Sequence, residues 1–533
     1  MATTVIAPPR AAGGTAAARL RVLARETVRQ PRRAFVAALA LLSVIPCLDV
    51  AGDPDLWWHI RAGRWILDTR SIPHAEMFTY TAAGNPWTAH EWGSEVLFAA
   101  LDAAGGVLLV GVVMALVTWS GLWALAIRAR DRGASWGVCA AAMLLGARAM
   151  QPVTGTRPQM FTFALCCWTL LLAERHLARG GRLCWWLPAI VAVWANLHAG
   201  FLFGIGVVGA VAAIEAARIA LKSPDAAPVR RVAELAAATV ASAGAACLNP
   251  NGTALLAYAV RLTHDVSQLP IVEWMRPNIL SWDIAAADLL VVSVPVLLLA
   301  GGRIGLRDAL MTAAGTVAAV VAVRNLAVLV AVALPAWAAL VSSAGARLRA
   351  EEAALGARRG AARRPSRPVR HPSPAVAAAL LAVAALGVGA AGARAVHAAS
   401  GGALRQTEPA CAVDVLSRAP GSLRVFAPYA PSGYIVGALW PKATVYDYGE
   451  LVAAGPQVLA DQVRIASGTA EAPSALALLD SSRSDAVLVA PGALTRRLEA
   501  SGAWGFAVDD PSGMELWVRG NPEWARGASC STG

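Results

Sequence analysis

Gly52 to Glu95 reads GDPDLWWHIRAGRWILDTRSIPHAEMFTYTAAGNPWTAHEWGSE, a concentration of charge and aromatic surface wedged between two apolar runs. It holds Asp53, Asp55, His59, Arg61, Arg64, His74, Glu76, His90, Glu91 and Glu95, with Trp57, Trp58, Trp65, Trp87 and Trp92 among them. Outside it the chain is mostly alanine, leucine and valine. Of 533 residues, 57% are hydrophobic and 15% charged, and the mean hydropathy is +0.53. The apolar residues come in runs of about 17 to 25, the length that crosses a hydrocarbon slab of about 30 Å. These features define a multi-pass protein of the cell membrane. The net charge of +12 falls in short loops between apolar runs, where it sets topology, so nucleic-acid binding is excluded.

Apolar segments at 34–51, 105–127, 134–150, 159–174, 183–196, 199–219, 232–248, 285–301, 306–323, 325–345 and 374–398 predict about eleven membrane-spanning helices. The N-terminal residues carry no cleavage site behind the first run, which is expected to stay as a span. With the N-terminus cytoplasmic, every inside loop is rich in arginine, as the positive-inside rule requires. The expected organisation is a basic cytoplasmic tail (1–33), an all-α polytopic membrane domain (34–345) with its first outer loop at 52–104, a basic cytoplasmic linker (346–373), a last span (374–398) and a small extracytoplasmic α/β domain (399–533). In that last region apolar runs shorten to strand length at 423–427, 443–446, 485–490, 505–508 and 514–519. It holds no phosphate loop, metal-spaced His/Cys set or nucleophile elbow. Six of the 8 cysteines lie in or beside apolar runs, which leaves Cys411 and Cys530 to pair if this region is exported.

The same topology collects polar residues at the outer helix ends: Arg157, His198, Asn249, Glu273, Arg324 and Asn325, beside the 52–95 stretch. Ionisable groups at membrane depth normally face a cavity or a partner, so these predict a polar cavity opening outward, with His59, Arg64, Glu91 and Glu95 as further members. Asp55 is a candidate N-cap for a helix beginning there, and Asp55 and His59 share a face four residues apart. The tryptophans beside them suit an interfacial helix, and Trp87 and Trp92 a membrane-boundary belt. Glu91 and Glu95, also four apart, need a cation or water beside them. Arg157 and Arg324 offer planar donor forks to a phosphate, with a salt bridge to Asp53, Glu91 or Glu273 as the competing reading.

The run Asp53-Pro54-Asp55-Leu56-Trp57-Trp58-His59, then Gly63-Arg64, Pro73, Phe78-Thr79-Tyr80-Thr81, Trp87 and His90-Glu91-Trp92, resembles the first outer loop of bacterial multi-span proteins related to the GT-C glycosyltransferases. Arg157-Pro158-Gln159, Asn196-Leu197-His198, Leu248-Asn249-Pro250 with Gly252, Glu273-Trp274, Arg324-Asn325 and Gly433-Tyr434 resemble that group's later landmarks, in the same order. GT-C enzymes take a sugar from a polyprenyl phosphate at the outer membrane face, using an acidic residue of the first outer loop. The resemblance implies a polyprenyl-phosphate-linked donor amid membrane lipids, a cell-envelope acceptor, and inversion at the anomeric carbon. It further implies Asp53 or Asp55 as the base and Arg157 or Arg324 at the departing lipid phosphate. Carboxylates this dense also suit a divalent metal ion, although no ligand spacing selects one. Two other readings of the cavity are a transporter or flippase of an envelope precursor, which needs a second gate at the inner side, and a non-enzymatic scaffold, which needs no convergence of these residues.

Overall fold

The computed structural model describes residues 30–48, 52–266, 272–279, 281–358, 373–471, 473–527 and 529–530. The chain opens with α1 (Pro31–Leu42), then α2 (Asp55–Thr69), α3 (Trp92–Asp131), α4 (Trp136–Ala149), α5 (Gln159–Arg179), α6 (Leu187–Trp194) and α7 (Phe201–Ala220). It continues through α8 (Val229–Ala245), α9 (Ala254–Val266), α10 (Ala285–Leu299), α11 (Leu306–Val321), α12 (Leu326–Arg358) and α13 (Pro374–Ala398). All eleven expected spans are helical over at least part of their length. Five stretches, Trp92–Asp131, Gln159–Arg179, Phe201–Ala220, Val323–Leu355 and Pro374–Ala398, have the length and apolarity to cross a membrane alone among the described residues. The rest are shorter because their apolar windows run on into tight turns, as at Ile45–Cys47 after α1.

In α3 the helix axis breaks at Gly105 and Gly106. Gly106 has φ 67°, a left-handed conformation that a side chain disfavours. The break falls where the polar first loop was expected to give way to a span, so Trp92–Ala104 is a separate arm that carries Glu95. At the other end of the region, α12 continues as helix to Arg358, into the expected linker; residues 359–372 lie outside the described residues, as does most of the tail expected over 1–33.

After α13 come five strands, β1 (Leu423–Phe426), β2 (Ala443–Val445), β3 (Ala486–Val489), β4 (Trp504–Asp510) and β5 (Met514–Arg519), in the order β2-β1-β3-β5-β4. β1 runs parallel to β2 and β3, and β5 antiparallel to β3 and β4. These are the five strands expected from the sequence. Cys411 and Cys530 are joined in a disulfide with Cα atoms 5.8 Å apart.

The first loop is part of this domain, not a separate surface. The Val445 N–H donates to the Phe78 carbonyl at 3.0 Å and the Tyr80 N–H to the Val445 carbonyl at 3.1 Å, so the loop covers the open edge of β2. Glu76 pins that segment by accepting the backbone N–H groups of Phe78 (2.8 Å) and Thr79 (2.9 Å). Trp58, Phe78 and Trp87 are buried in one apolar core with Val425, Ile435, Val445 and Leu488. This corrects the expectation of a membrane-boundary role for Trp58 and Trp87. Trp92 is likewise tied to protein, its indole N–H donating to Asn196 Oδ1 at 2.9 Å. An aromatic residue beside an apolar run has the same local pattern whether it meets lipid headgroups or another domain of its own chain.

Candidate functional site

α2 starts at the Asp53-Pro54-Asp55 turn. Asp53 Oδ1 accepts the backbone N–H of Asp55 at 3.0 Å, so Asp53, not the expected Asp55, satisfies a free N–H at the helix start. Asp55 stands inside the first turn, where its Oδ1 accepts the Trp58 indole N–H at 3.0 Å and the Tyr429 hydroxyl at 2.6 Å.

Arg157, just before α5, donates from Nε to Asp53 Oδ2 and from Nη1 to Glu273 Oε1. One guanidinium thus joins the first loop, the α4–α5 turn and the segment before α10. Asp53 is only 2% exposed. Burial pushes its carboxyl up to about 7, with the Arg157 charge pulling the other way. Burial disfavours the charge on Arg157, but Asp53 and Asp55 outweigh it and raise the guanidinium further. Arg324 lies in the turn before α12 with its guanidinium 4.0 Å above the Trp274 ring, the neighbour of Glu273. It pairs with no carboxylate among the described residues. Asn325 beside it donates to the Ala318 carbonyl at 2.9 Å.

A second cluster adjoins the first through α2. Glu91 precedes α3 and is ringed by imidazoles: His59 Nε2 at 3.6 Å, His90 Nε2 at 3.5 Å and His198 Nε2 at 3.4 Å. His59 Nδ1 also lies 3.7 Å from Glu95 Oε1. Burial opposes the charge on His90, but Glu91 overrides it and raises the ring to about 9. Glu91 in turn is brought down to about 2, the charge of His90 prevailing over burial. Burial lowers His198 to about 4. Its Nδ1 accepts the Gly200 N–H at 2.9 Å, which leaves the proton of the neutral ring on Nε2, facing Glu91. The C-terminal domain closes this cluster with Glu450, which burial raises to about 7 and which accepts the Tyr258 hydroxyl at 3.5 Å.

Asp53, Arg157 and Glu273 therefore meet directly, with Asp55 tied to Asp53 through its backbone N–H, and His59, Glu91, Glu95 and His198 meet in the second cluster. Three expected cavity members are engaged elsewhere, Asn325 by the Ala318 carbonyl. Arg64 donates to Asp102 Oδ2 at 2.5 Å with its side chain nearly half exposed. Asn249 spends its amide on its own turn, donating to the Ala246 and Gly252 carbonyls and accepting the Asn251 N–H. Tyr429, Glu450 and Tyr258 enter unannounced by any motif, whereas His90 was in view in the polar stretch but lacked an assigned role.

The ligand set for a divalent cation is not assembled at Asp53 and Asp55. Both oxygens of Asp53 already accept N–H donors, and Arg157 supplies the positive charge between Asp53 and Glu273. Among the described residues, one trio has metal-ligand spacing, Cys411, Asp510 and Cys530. Its two sulfurs are bonded to each other, and Asp510 accepts the backbone N–H groups of Ala412 and Ser512.

The fold, a long-helix bundle with a C-terminal domain seated on the turn after its first helix, is similar to that of two solved membrane proteins. The archaeal oligosaccharyltransferase AglB of Archaeoglobus fulgidus, solved with an inhibitory peptide and a dolichol-phosphate, superposes with a TM-score of 0.56 at 11% identity, over 93% of this chain and 75% of that one. ArnT of Cupriavidus metallidurans bound to undecaprenyl phosphate superposes with a TM-score of 0.50 at 16% identity, over 92% of this chain and 98% of that one. No protein-family model and no curated protein matches the chain by sequence.

Proposed function

We propose that this chain is a membrane glycosyltransferase that moves a sugar from a polyprenyl phosphate carrier to a cell-envelope acceptor at the outer membrane face, with inversion. The observation that carries the reading is the convergence of Asp53, Asp55, Arg157 and Glu273 at one turn beneath the C-terminal domain. The two structural neighbours, each solved with a polyprenyl phosphate, support the donor class.

In this mechanism Asp53, whose oxygens each keep a lone pair beside their one N–H donor, takes the proton of the acceptor hydroxyl as the hydroxyl oxygen bonds to the anomeric carbon. A carboxylate near 7 is matched to that task at neutral pH, and its charge also offsets the oxocarbenium-like charge on the sugar. The bond from the anomeric carbon to the phosphate oxygen breaks, and the lipid phosphate leaves with the electron pair. Arg324, which no carboxylate holds among the described residues, offsets that charge, while Arg157 holds Asp53 in place. A single displacement inverts the anomeric centre.

The experiment is incubation of the purified protein with a panel of polyprenyl-phosphate sugars, comparing wild type with Asp53→Asn and Asp55→Asn. Release of sugar that a substitution abolishes is expected. Binding of the panel without turnover would favour the transporter reading instead. One observation speaks for that second reading: the arginines at the opposite end of the bundle are more than topology signals. Arg128 and Arg132 both pair with Glu174, Arg132 with Asp308, and Arg307 with Glu215, so polar side chains continue to the inner side, as a transport path would need.

A further inference from the structure

The closest approach of the C-terminal domain to the acidic turn is made by one short helix, α14 (Tyr429–Leu439). Two glycines let it approach α2 backbone to backbone. A Cβ on Gly433 would collide with the Pro54 carbonyl, and one on Gly437 would lie 2.9 Å from the Trp57 Cβ. Arg61 clamps the far end, donating to the Gly437 carbonyl from Nε at 3.1 Å and Nη2 at 2.6 Å. The first residue of α14 is thereby delivered to the acidic turn.

That residue is Tyr429, and it is held at both ends. Its ring edge abuts Gly449, whose φ of 107° and missing Cβ make the room; a Cβ there would overlap the ring. Its hydroxyl donates to Asp55 Oδ1 at 2.6 Å, and the second donor, Trp58 Nε1 at 3.0 Å, falls on the same oxygen. Two donors on one oxygen fix the carboxylate plane and leave Oδ2 with no donor among the described residues. The residue as a whole is 37% exposed, while its hydroxyl is turned inward to Asp55.

We propose that Tyr429 is a positioning residue: through its hydroxyl the C-terminal domain sets the orientation of the Asp55 carboxylate and keeps Oδ2 available to the reacting sugar. The proposal rests on the glycosyltransferase reading for its consequence but not for the coupling itself. Tyr429→Phe removes the hydroxyl and keeps the ring against Gly449, so packing is preserved.

The test is a double-mutant cycle on wild type, Tyr429→Phe, Asp55→Asn and the double variant, read in two ways. In donor turnover, Tyr429→Phe is expected to lower kcat about 10-fold with the donor KM unchanged, and to cost nothing further in the Asp55→Asn background. In thermal unfolding, the double variant is expected to lose clearly less than the sum of the single losses. Additive losses in the melting cycle overturn the proposal whether or not a donor is found, as does wild-type kcat in Tyr429→Phe. A wild type that turns over no donor while the melting losses remain non-additive tells against the glycosyltransferase reading and leaves the Tyr429–Asp55 coupling standing.

Discussion

His198 and Glu91, from separate turns of the chain, face each other at 3.4 Å, yet only the glutamate is charged at neutral pH. The chief positive partner of Glu91 is His90, with His59 also held up against burial by Glu95 and Glu91; His198 is not one. Burial strips charge from every group in this cluster that lacks an immediate counter-charge, and one carboxylate can keep one imidazole protonated more easily than three.

Removing that carboxylate tests the assignment. With Glu91→Gln, the chief charge that raises His90 is gone and only Glu450 and the Thr88 carbonyl are left to oppose burial, so the His90 ring is expected to fall well below about 9. Ring-proton NMR titration of the two proteins reads this directly. The sign for stability follows: His90 is raised in the folded state, so its contribution is fully present below about 6.5 and is lost as pH rises through about 9. The wild-type melting temperature should therefore decline across that window, and the Glu91→Gln protein should start lower and stay flat. An unchanged His90 titration would remove the pair from the account.

The far end of the bundle makes a prediction independent of any substrate. Glu174 accepts from Arg128 Nε and Nη2 at 3.0 and 2.6 Å and from Arg132 Nη1 and Nη2 at 2.9 Å each. Arg128 is 3% exposed, so Glu174→Ala strands a buried charge, a loss of roughly 3–5 kcal/mol. Thermal unfolding in detergent should show a large drop for Glu174→Ala and little change for Glu351→Ala, whose partner Arg347 is exposed. Equal, small effects would mean that water reaches the network.

In the proposed mechanism Arg324 is the arginine that meets the lipid phosphate. Its guanidinium is stacked on Trp274 and is committed to no carboxylate among the described residues, whereas Arg157 is shared between two. Arg324→Ala is expected to weaken undecaprenyl phosphate binding about 10-fold, the worth of one charge-assisted hydrogen bond, with Arg324→Lys in between because lysine keeps charge but not the stacked plane. Unchanged affinity in both would move the phosphate elsewhere.

How much of this was legible beforehand follows from the range of each interaction. The five strands could be read because alternation and turn residues are local, and Cys411–Cys530 because the other cysteines were accounted for. Asp53, Arg157 and Glu273 could be suspected as a group because topology alone puts them at one end of the bundle. What was hidden is what depends on distant partners. Trp58 and Trp87 looked like boundary residues because nothing nearby in sequence announces the domain core that buries them. Arg128 and Arg132 looked like topology signals because Glu174 lies one helix away inside an apolar run. A lone tyrosine such as Tyr429 carries no pattern at all.

The pH dependence of turnover tests Asp53 itself. Its carboxyl is pushed up to about 7, and only the ionised form can accept the proton of an acceptor hydroxyl. The rate should therefore be low in acid, rise through about pH 7 and level off above it. Arg157 is the strongest influence holding Asp53 down against burial, so Arg157→Ala should carry the acid limb to higher pH as well as loosening the turn. Asp53→Asn should abolish the limb and lower kcat by about 10²–10⁴, the range for loss of a general base. Asp55→Asn should slow turnover but keep the limb in place, because the titrating proton stays on Asp53. A limb that survives Asp53→Asn and disappears with Asp55→Asn would exchange the two carboxylates, making Asp55 the base and Asp53 the anchor for Arg157.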